Sequence, residues 1–441
     1  MTQPTQPSTT YLDHLEAETR SRQGTAQHEE SPFAGAPEAA ATTVEARVDL
    51  LAPELSGLAA ELHRDPETAY QEHRSARRIA DLLEHHGVAA RVGVHGLDTA
   101  VRAEAGSGSP VIAVMAEYDA LPGIGHACGH NVIAAAGVGA FLALALTLQE
   151  EPNAFPGAVV LLGTPAEEGY SGKEVMARNG ALDGVDAAVM VHPYGQDVVD
   201  QVWLGRRLLT VTFTGVAAHA SAQPFMGRNA LDAATLAYSG IGLLRQQLPP
   251  SDRVHAVITD GGARPSIVPE RAEMKLYARS KYPESLRELS RRLEDVARGA
   301  ALMTGTGVDL DWDEHPPSLP VRTNRALTGR WLAAQRRRGR QPLPGGVVSE
   351  TLAASTDFGN ISYRVPGIHP LIGISSPDIA LHTREFADAA GSAAAGRAAV
   401  DGAAGLALTA LDYLCDPNLQ AAAAEEFAAA GGPVDVPGYF A

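Results

Sequence analysis

The first half of the chain alternates between short apolar runs and longer stretches with apolar residues at helical spacing. The apolar runs, which predict buried strands, lie at residues 99–103, 111–115, 157–164 and 187–191. The helical stretches lie at residues 44–62, 75–87 and 132–150. The strands at 99–103 and 111–115 are predicted to pair across the turn AGSGSP. Strands separated by helices are typical of an α/β fold.

The pattern changes between residues 206 and 316. Predicted strands at 208–214, 254–258, 272–279 and 308–312 are interrupted there by predicted helices at 229–248 and 284–301. This β-α-β-β-α-β order predicts a compact two-layer domain inserted into the first domain. After the insertion, the sequence predicts a strand at 367–374 and an alanine-rich helix at 387–414.

The two ends of the chain have little to bury. Residues 1–44 are rich in Thr, Ser, Gln, Pro and Glu, which predicts a disordered arm with one short helix near residues 11–22. Residues 426–441 form an Ala/Gly/Pro-rich tail. We therefore expect a discontinuous first domain at 45–205 and 317–425, and an inserted domain at 206–316.

Composition narrows the classes of partner. A hydrophobic content of 45% with 20% charged residues is typical of a globular protein. The formal charge of −17 argues against nucleic acid or an anionic membrane as a partner, which leaves small molecules. No basic patch followed by an apolar run is present at the N-terminus. We expect Cys128 and Cys415 to be reduced thiols in a cytoplasmic protein.

Chemically active side chains follow the predicted strands. The segment after 111–115 carries Asp119, His126, Cys128 and His130, a set that suits a metal site, although a buried cysteine beside loop histidines is the alternative. Glu167 and Glu168 follow the strand at 157–164, and His192 follows the strand at 187–191. Because open α/β sheets bind ligands at the carboxyl ends of their strands, this coincidence favours the metal site.

The motifs HACGHN, PAEEG, VHP and LHTREF together resemble the M20 metallopeptidase and aminoacylase family. The similarity covers about residues 45–415, and the opening AEYDALPGIGHACGHN is most similar to the amidohydrolase branch with a cysteine in the site. The resemblance implies an α/β/α catalytic domain of the zinc-peptidase type with an inserted two-layer α+β lid and dimerisation domain. It also implies hydrolysis of β-alanyl dipeptides or aminobenzoyl-glutamate.

The resemblance assigns roles to individual residues. Two divalent metal ions, of which Zn²⁺ is expected and Mn²⁺ or Co²⁺ are alternatives, would be held by Cys128, His130, Glu168, His192 and His382. Glu167 would be the general acid/base. His126 and Asp119 would lie behind the ligands, where Asp119 either orients a ligand or only caps the loop.

The inserted domain resembles the family's lid. His219 matches the lid histidine that reaches the partner subunit's site to stabilise an oxyanion, which implies a homodimer. Ser266 stands where the family carries an asparagine that contacts substrate, so this contact is weakened or rerouted through water. Arg279 suits a carboxylate clamp, with a solvent-facing arginine as the alternative. Asn360 lies in a segment similar to a loop that lines the substrate pocket.

The sequence therefore predicts a metal-dependent hydrolase of the amide bond in a small dipeptide or N-acyl amino acid. Two other functions stay open. Cys128 could instead be a nucleophile activated by a nearby histidine. The chain could also be a non-catalytic ligand-binding or scaffold dimer, although the retained Glu167 argues against it.

Overall fold

The computed structural model describes residues 5, 7–28 and 30–440. Its strands are β1 Ala90–Val94, β2 Leu97–Ser107, β3 Val111–Glu117, β4 Gly157–Thr164, β5 Ala187–Val189, β6 His192–Tyr194, β7 Gly205–Thr214, β8 Arg253–Asp260, β9 Arg271–Ser280, β10 Gly307–Trp312, β11 Gly367–Ile368 and β12 Leu371–Gly373. Its α-helices are α1 Thr10–Gln23, α2 Glu38–Arg64, α3 His73–His85, α4 His130–Glu150, α5 Gly172–Arg178, α6 Ala230–Leu244, α7 Pro283–Thr304, α8 Arg325–Arg337, α9 Phe358–Ser362, α10 Arg384–Ala390, α11 Ala393–Cys415, α12 Pro417–Ala429 and α13 Val436–Tyr439. Short 3₁₀ turns lie at Pro224–Met226, Arg245–Gln247 and Glu350–Leu352.

The chain divides into two compact units. Unit 1 comprises Met1–Gln201, Arg322–Ala353 and Ile361–Val434. Unit 2 comprises Val202–Val321, Ala354–Asn360 and Asp435–Ala441. The predicted insertion at 206–316 thus lies inside unit 2, which also takes in two short segments from later in the chain.

Unit 1 is built on a sheet with the strand order β1-β2-β4-β3-β5-β11. Strand β3 lies parallel between β4 and β5, and Val114 stands opposite Leu161 and Val189. Since β3 is central, its residues from Ile112 onward are buried. The predicted pairing of the strand at 99–103, within β2, with the strand at 111–115, within β3, is wrong. Strand β4 lies between them and pairs antiparallel with β2.

Three long helices, α2, α4 and α11, pack together beside this sheet. Small residues allow the close approach, since a Cβ on Gly139 of α4 would lie 2.4 Å from Leu55 Cδ1 of α2. Helices α4 and α11 are long and apolar enough to cross a membrane, but both are mostly buried within the protein. This combination is expected of core helices in a globular protein.

The predicted arm ends earlier than residue 44. Helix α2 begins at Glu38 and buries Ala41 and Val44 against the core of unit 1. The residues before it are also held, because Gly35 N donates to Asp416 Oδ2 at 2.9 Å and Ala36 N donates to Asp412 Oδ1 at 2.8 Å. Residues 35–44 therefore belong to the folded unit, while α1 buries only one side chain.

The predicted tail at 426–441 also differs from the structure. Helix α12 continues to Ala429, and Val434 N then donates to Tyr363 O at 2.8 Å within unit 1. Val436 in α13 is buried within unit 2. The end of the chain therefore takes part in both units.

Unit 2 is an antiparallel sheet with the order β10-β7-β9-β8 and with helices α6 and α7 packed on it. Burial alternates along β7, where Leu209, Val211 and Phe213 join the core. This period of two is the pattern of a sheet with one covered face. The predicted two-layer α+β arrangement is confirmed.

Local breaks divide two of the predicted elements in unit 1. The strand predicted at 367–374 is interrupted at His369–Pro370, where proline lacks the amide needed to continue the ladder. The helix predicted at 387–414 is two helices, because Ser392 caps a new helix by accepting from Ala395 N. The strand predicted at 187–191 is not divided but is shorter than predicted, because it ends at Val189.

Candidate metal centre

The loop between β3 and α4 delivers Cys128 and His130 into the interior of unit 1. Gly129 separates them with φ +78°, a left-handed conformation that favours glycine. A Cβ at this position would also lie 2.9 Å from the ring of Pro193. Glycine is therefore required for the two side chains to enter the same buried site.

Six side chains from four segments form three overlapping groups whose ligand atoms lie within 4.8 Å of one another. The groups are Cys128–His130–His192, Cys128–Glu168–His382 and His130–Glu167–Glu168. They include all five predicted metal ligands together with the predicted general base.

The shortest distances join ligands from different strands. Cys128 Sγ lies 3.5 Å from His192 Nε2, and His382 Nε2 lies 3.4 Å from Glu168 Oε1. His130 Nε2 lies 3.9 Å from Glu167 Oε2. Because β4, β3 and β5 are parallel neighbours, the segments after their carboxyl ends place Cys128, Glu168 and His192 at one edge of the sheet. His382 joins them from the segment between β12 and α10.

The donor set fits divalent cations. His130 Nε2 is buried but has no hydrogen-bond partner among the residues that the structure describes. Buried polar atoms normally have a partner, so this nitrogen is available to a ligand. Thiolate, imidazole and carboxylate together are the ligands that zinc binds, and cobalt or manganese bind related sets.

The acidic and basic side chains at the site shift each other's pKa values. Burial and the charge of Glu168 oppose ionisation of Cys128, but His192 and His130 outweigh them and lower its pKa to about 7. Hydrogen bonds to Cys128 and Glu168 raise the pKa of His382 to about 10. The acidic groups are thereby favoured as anions, as a cation site requires, whereas His382 is favoured as an imidazolium that must lose its proton to bind a metal.

Asp119 lies behind two of the ligands. Its Oδ1 is 3.0 Å from His130 Nδ1, and its Oδ2 accepts from Glu168 N at 2.8 Å. Burial alone would raise its pKa, but the charge of His130 lowers it below the usual value. The contact with Nδ1 leaves His130 Nε2 directed toward the other ligands.

His126 lies outside the three groups. Its ring is buried, and this burial lowers its pKa to about 3. The ring is therefore neutral at physiological pH and adds no charge to the site.

Three buried groups near the site were not predicted from the sequence. Glu117 forms a buried ion pair with Lys173 and lies 3.5 Å from His130 Nε2. His369 stacks edge-on against His192 with ring centroids 5.6 Å apart. Glu72 accepts a hydrogen bond from Ala166 N. Local sequence signals identify none of them, except that His369 immediately precedes a proline at a strand break.

Unit 2 brings two of the predicted residues together. Ser266 O accepts from Ala220 N at 3.0 Å, and His219 forms a backbone bridge with Ile267. The ring of His219 is exposed, and its Nδ1 accepts from Ser221 N at 3.2 Å. In the neutral ring, Nε2 therefore carries the hydrogen and can donate a hydrogen bond to an oxygen.

Arg279 is half-buried on β9. Its guanidinium lies over the ring of Tyr277 at 4.9 Å, and Arg206 and Arg253 stand opposite it on the adjacent strands. Burial and then the charge of Arg206 lower its pKa. No carboxylate is among the groups that shift its pKa, which suits an arginine that binds an anion.

Asn360 is held by backbone groups. Its amide is completely buried within unit 2, where Oδ1 accepts from Leu319 N and Nδ2 donates to Pro317 O, both at 2.8 Å. Asn360 therefore anchors the segment at 317–319, and its place in a loop that lines the substrate pocket stays a prediction.

The fold and the clustered donor set define an α/β protein with a candidate metal centre. The chain belongs to Peptidase family M20/M25/M40, whose sequence profile it matches over residues 113–404. This membership confirms the resemblance seen in the motifs.

Several characterised relatives support the same assignment. The Xaa-Arg dipeptidases of Mus musculus and Homo sapiens are 39% and 37% identical, and each alignment covers 86% of this chain and 90% of the relative. A p-aminobenzoyl-glutamate hydrolase chain of Escherichia coli (strain K12) is 30% identical, with 80% of this chain and 88% of the relative covered. The protein is accordingly a hydrolase.

The fold is also found in a solved structure of a dinuclear metal-binding peptidase of the M20 family from Bacillus subtilis. That structure has a TM-score of 0.61 and 23% identity, and it covers 82% of this chain and 98% of its own. A putative aminohydrolase from Staphylococcus aureus has a TM-score of 0.68 with 21% identity, covering 85% and 99%. The α/β architecture with an inserted α+β unit is thereby confirmed.

Proposed function

We propose that this protein is a metal-dependent enzyme that hydrolyses the amide bond of a small dipeptide or N-acyl amino acid. The observation that carries the proposal is the convergence of Cys128, His130, Glu168, His192 and His382 on one site beside Glu167, in which Cys128, His130 and His192 are buried and His382 is exposed. The carboxylate of Glu167 beside this ligand set suits hydrolysis, because the attacking water must lose a proton.

The five ligands would hold two divalent metal ions. When bound, such ions polarise the amide carbonyl and lower the pKa of a water molecule. Zinc suits the thiolate and imidazole donors, and manganese and cobalt are the alternatives. The proposal of two ions is supported by the three overlapping groups and by the dinuclear relative.

Glu167 would move the protons. Its carboxylate accepts a proton from the attacking water and then delivers that proton to the nitrogen of the departing amine. Glu168 is held at its backbone by Asp119 and remains a metal ligand. The two adjacent glutamates thus have separate roles, since Glu168 binds metal and Glu167 transfers protons. The two proton transfers together allow an amide to be cleaved at neutral pH.

Unit 2 would contribute the groups that hold the substrate. We propose that His219 donates from Nε2 to the developing oxyanion in the partner subunit's site, and that Arg279 binds the substrate carboxylate. The proposed homodimer is supported by exposed apolar side chains around His219. Val216, Phe225 and Met226 are close to it in sequence, and Ile267 forms the backbone bridge with it. The cytoplasmic location stays a prediction.

The relatives suggest the substrate panel. Dipeptides with a C-terminal arginine and p-aminobenzoyl-glutamate are the compounds that their names indicate. We add β-alanyl dipeptides and N-acetyl amino acids, since each has an amide next to a free carboxylate. The test is hydrolysis of this panel by protein with a measured metal content, before and after chelation and metal restoration.

Three results would be informative. About two metal ions per chain with activity that chelation removes would support the proposal. Activity in metal-free protein that is lost on thiol alkylation would favour a Cys128 nucleophile, the alternative that its lowered pKa supports. Metal-loaded protein that hydrolyses no compound in the panel would favour the ligand-binding or scaffold function.

A further inference from the structure

The loop that carries Glu167 is anchored on both sides by buried carboxylates from distant segments of unit 1. Ala166 N donates to Glu72 Oε1 at 2.9 Å, and Glu168 N donates to Asp119 Oδ2 at 2.8 Å. Glu167 is the single residue between these two anchored amides. The direction of its side chain therefore depends on both carboxylates.

Ala166 requires this anchoring because its backbone is strained. It has φ +60°, a left-handed conformation that is unfavourable for a residue with a side chain. The turn is closed on its other side by Gly172 N, which donates to Ala166 O at 3.0 Å. Since Ala166 is completely buried, water cannot replace a lost partner of its amide.

Glu72 is itself fixed in place. Its side chain is completely buried, and Oε2 accepts from Thr99 Oγ1 at 2.9 Å. Burial, and then the charge of Asp119, raises its pKa to about 7. An apolar side chain would be easier to bury at this position, so the presence of a carboxyl group points to its hydrogen bond with Ala166.

We propose that Glu72 is a positioning residue for the hydrolytic reaction, which holds the amide of Ala166 and thereby directs Glu167 toward the substrate. Glu72 acts through the backbone, and none of the three ligand groups includes it. This inference rests on the proposed role of Glu167 as general base. It extends the catalytic machinery to the segment before α3.

The test compares two substitutions of Glu72 in the metal-loaded, full-length protein. Glu72→Met fills a similar volume but cannot accept a hydrogen bond, whereas Glu72→Gln keeps an oxygen for Ala166 N and an amide for Thr99 Oγ1. We expect Glu72→Met to lower kcat by about 10–100-fold because small misplacements of a catalytic group have effects of this size. KM and metal content should stay near the parental values, and Glu72→Gln should restore most of kcat.

Asp412→Leu is the matched control. Asp412 is also a buried carboxylate that accepts a backbone amide, that of Ala36, but it lies in the core beside the N-terminal segment. We expect this variant to lose stability while it keeps kcat. A parental kcat in Glu72→Met, or a decrease that Glu72→Gln fails to restore, would overturn the inference.

Two further measurements keep the result interpretable. If Glu72→Met does not fold, Thr99→Val removes the hydroxyl that holds Glu72, and we expect it to lower kcat several-fold. A parental kcat in Thr99→Val would overturn the inference.

Glu167→Gln separates this inference from the proposed function. If Glu167→Gln is inactive and Glu72→Met is unaffected, only the inference fails, whereas an active Glu167→Gln overturns both.

Discussion

Replacing Asp119 by asparagine tests how the ligands are held. Asp119 serves two donors at once, since one oxygen faces His130 Nδ1 and the other accepts from Glu168 N. Asparagine has one carbonyl oxygen and can satisfy only one of these donors. If its NH₂ group faces Nδ1, the imidazole proton moves to Nε2 and blocks the nitrogen that would bind metal.

The size of the effect follows from the lost contact. A hydrogen bond to a charged group contributes about 1.5–3 kcal/mol, and each 1.4 kcal/mol corresponds to tenfold in affinity. Asp119→Asn should therefore weaken metal binding by about 10–100-fold. The folded structure should survive, because asparagine has nearly the same shape as aspartate.

The assay is competition between the metal-free protein and a chromophoric chelator for Zn²⁺ or Co²⁺, which reports affinity without any catalytic readout. Asp412→Asn is the matched control, because it alters a buried carboxylate that accepts from Ala36 N and Arg330 Nε and contacts none of the ligands. Unchanged metal affinity in Asp119→Asn would refute the reasoning that this carboxylate sets the tautomer of His130. An equal loss in both variants would attribute the effect to general destabilisation.

The remaining predictions concern the loop glycine, the two thiols and the buried ion pair. Gly129→Ala should lower both metal affinity and kcat at least tenfold, since it strains a left-handed residue and meets a proline ring, and metal analysis with steady-state kinetics will check this. In metal-free protein, alkylation of Cys128 should accelerate as pH rises through about 7, while Cys415, whose pKa burial raises to about 11, reacts slowly. Bound metal should protect Cys128, and mass spectrometry distinguishes the two sites. Lys173→Met should lower the free energy of unfolding by about 3–5 kcal/mol by leaving Glu117 buried and unpaired, and urea denaturation should show that adding Glu117→Gln restores much of the loss.

Much of the site could be predicted from the sequence because its residues follow strands that are buried on both faces. Such strands read as continuous apolar runs, so their ends could be located, and parallel neighbours place those ends at one edge. Cys128, Glu168 and His192 follow β3, β4 and β5 in this way. Their convergence thus depends on a simple and local pattern.

The features that the sequence did not reveal depend on contacts between distant segments. Glu72 and Ala166 are 94 positions apart, and no periodicity connects them. The pairing of β2 with β4 instead of β3 is a choice of sheet topology, which local turn residues do not determine. The hydrogen bonds of Asn360 were likewise not predicted, because the orientation of a side chain within a loop depends on its backbone partners.

The length of the N-terminal arm was overestimated for a related reason. Its composition is polar, but short apolar groups at 33–44 find partners on the folded unit, and Asp412 and Asp416 accept the backbone amides of Ala36 and Gly35. A segment needs few apolar residues when its backbone is held in this way. Composition alone therefore overstates the disorder of such ends.

The most direct test of the account is the turnover number of Glu167→Gln with its metal content measured in the same sample. Glutamine keeps the size of the side chain but cannot accept the proton of the attacking water. We predict full metal occupancy with kcat lowered by about 10²–10⁴-fold on whichever amide the parent enzyme cleaves. A metal-loaded Glu167→Gln variant with parental kcat would contradict the claim that this residue is the general base.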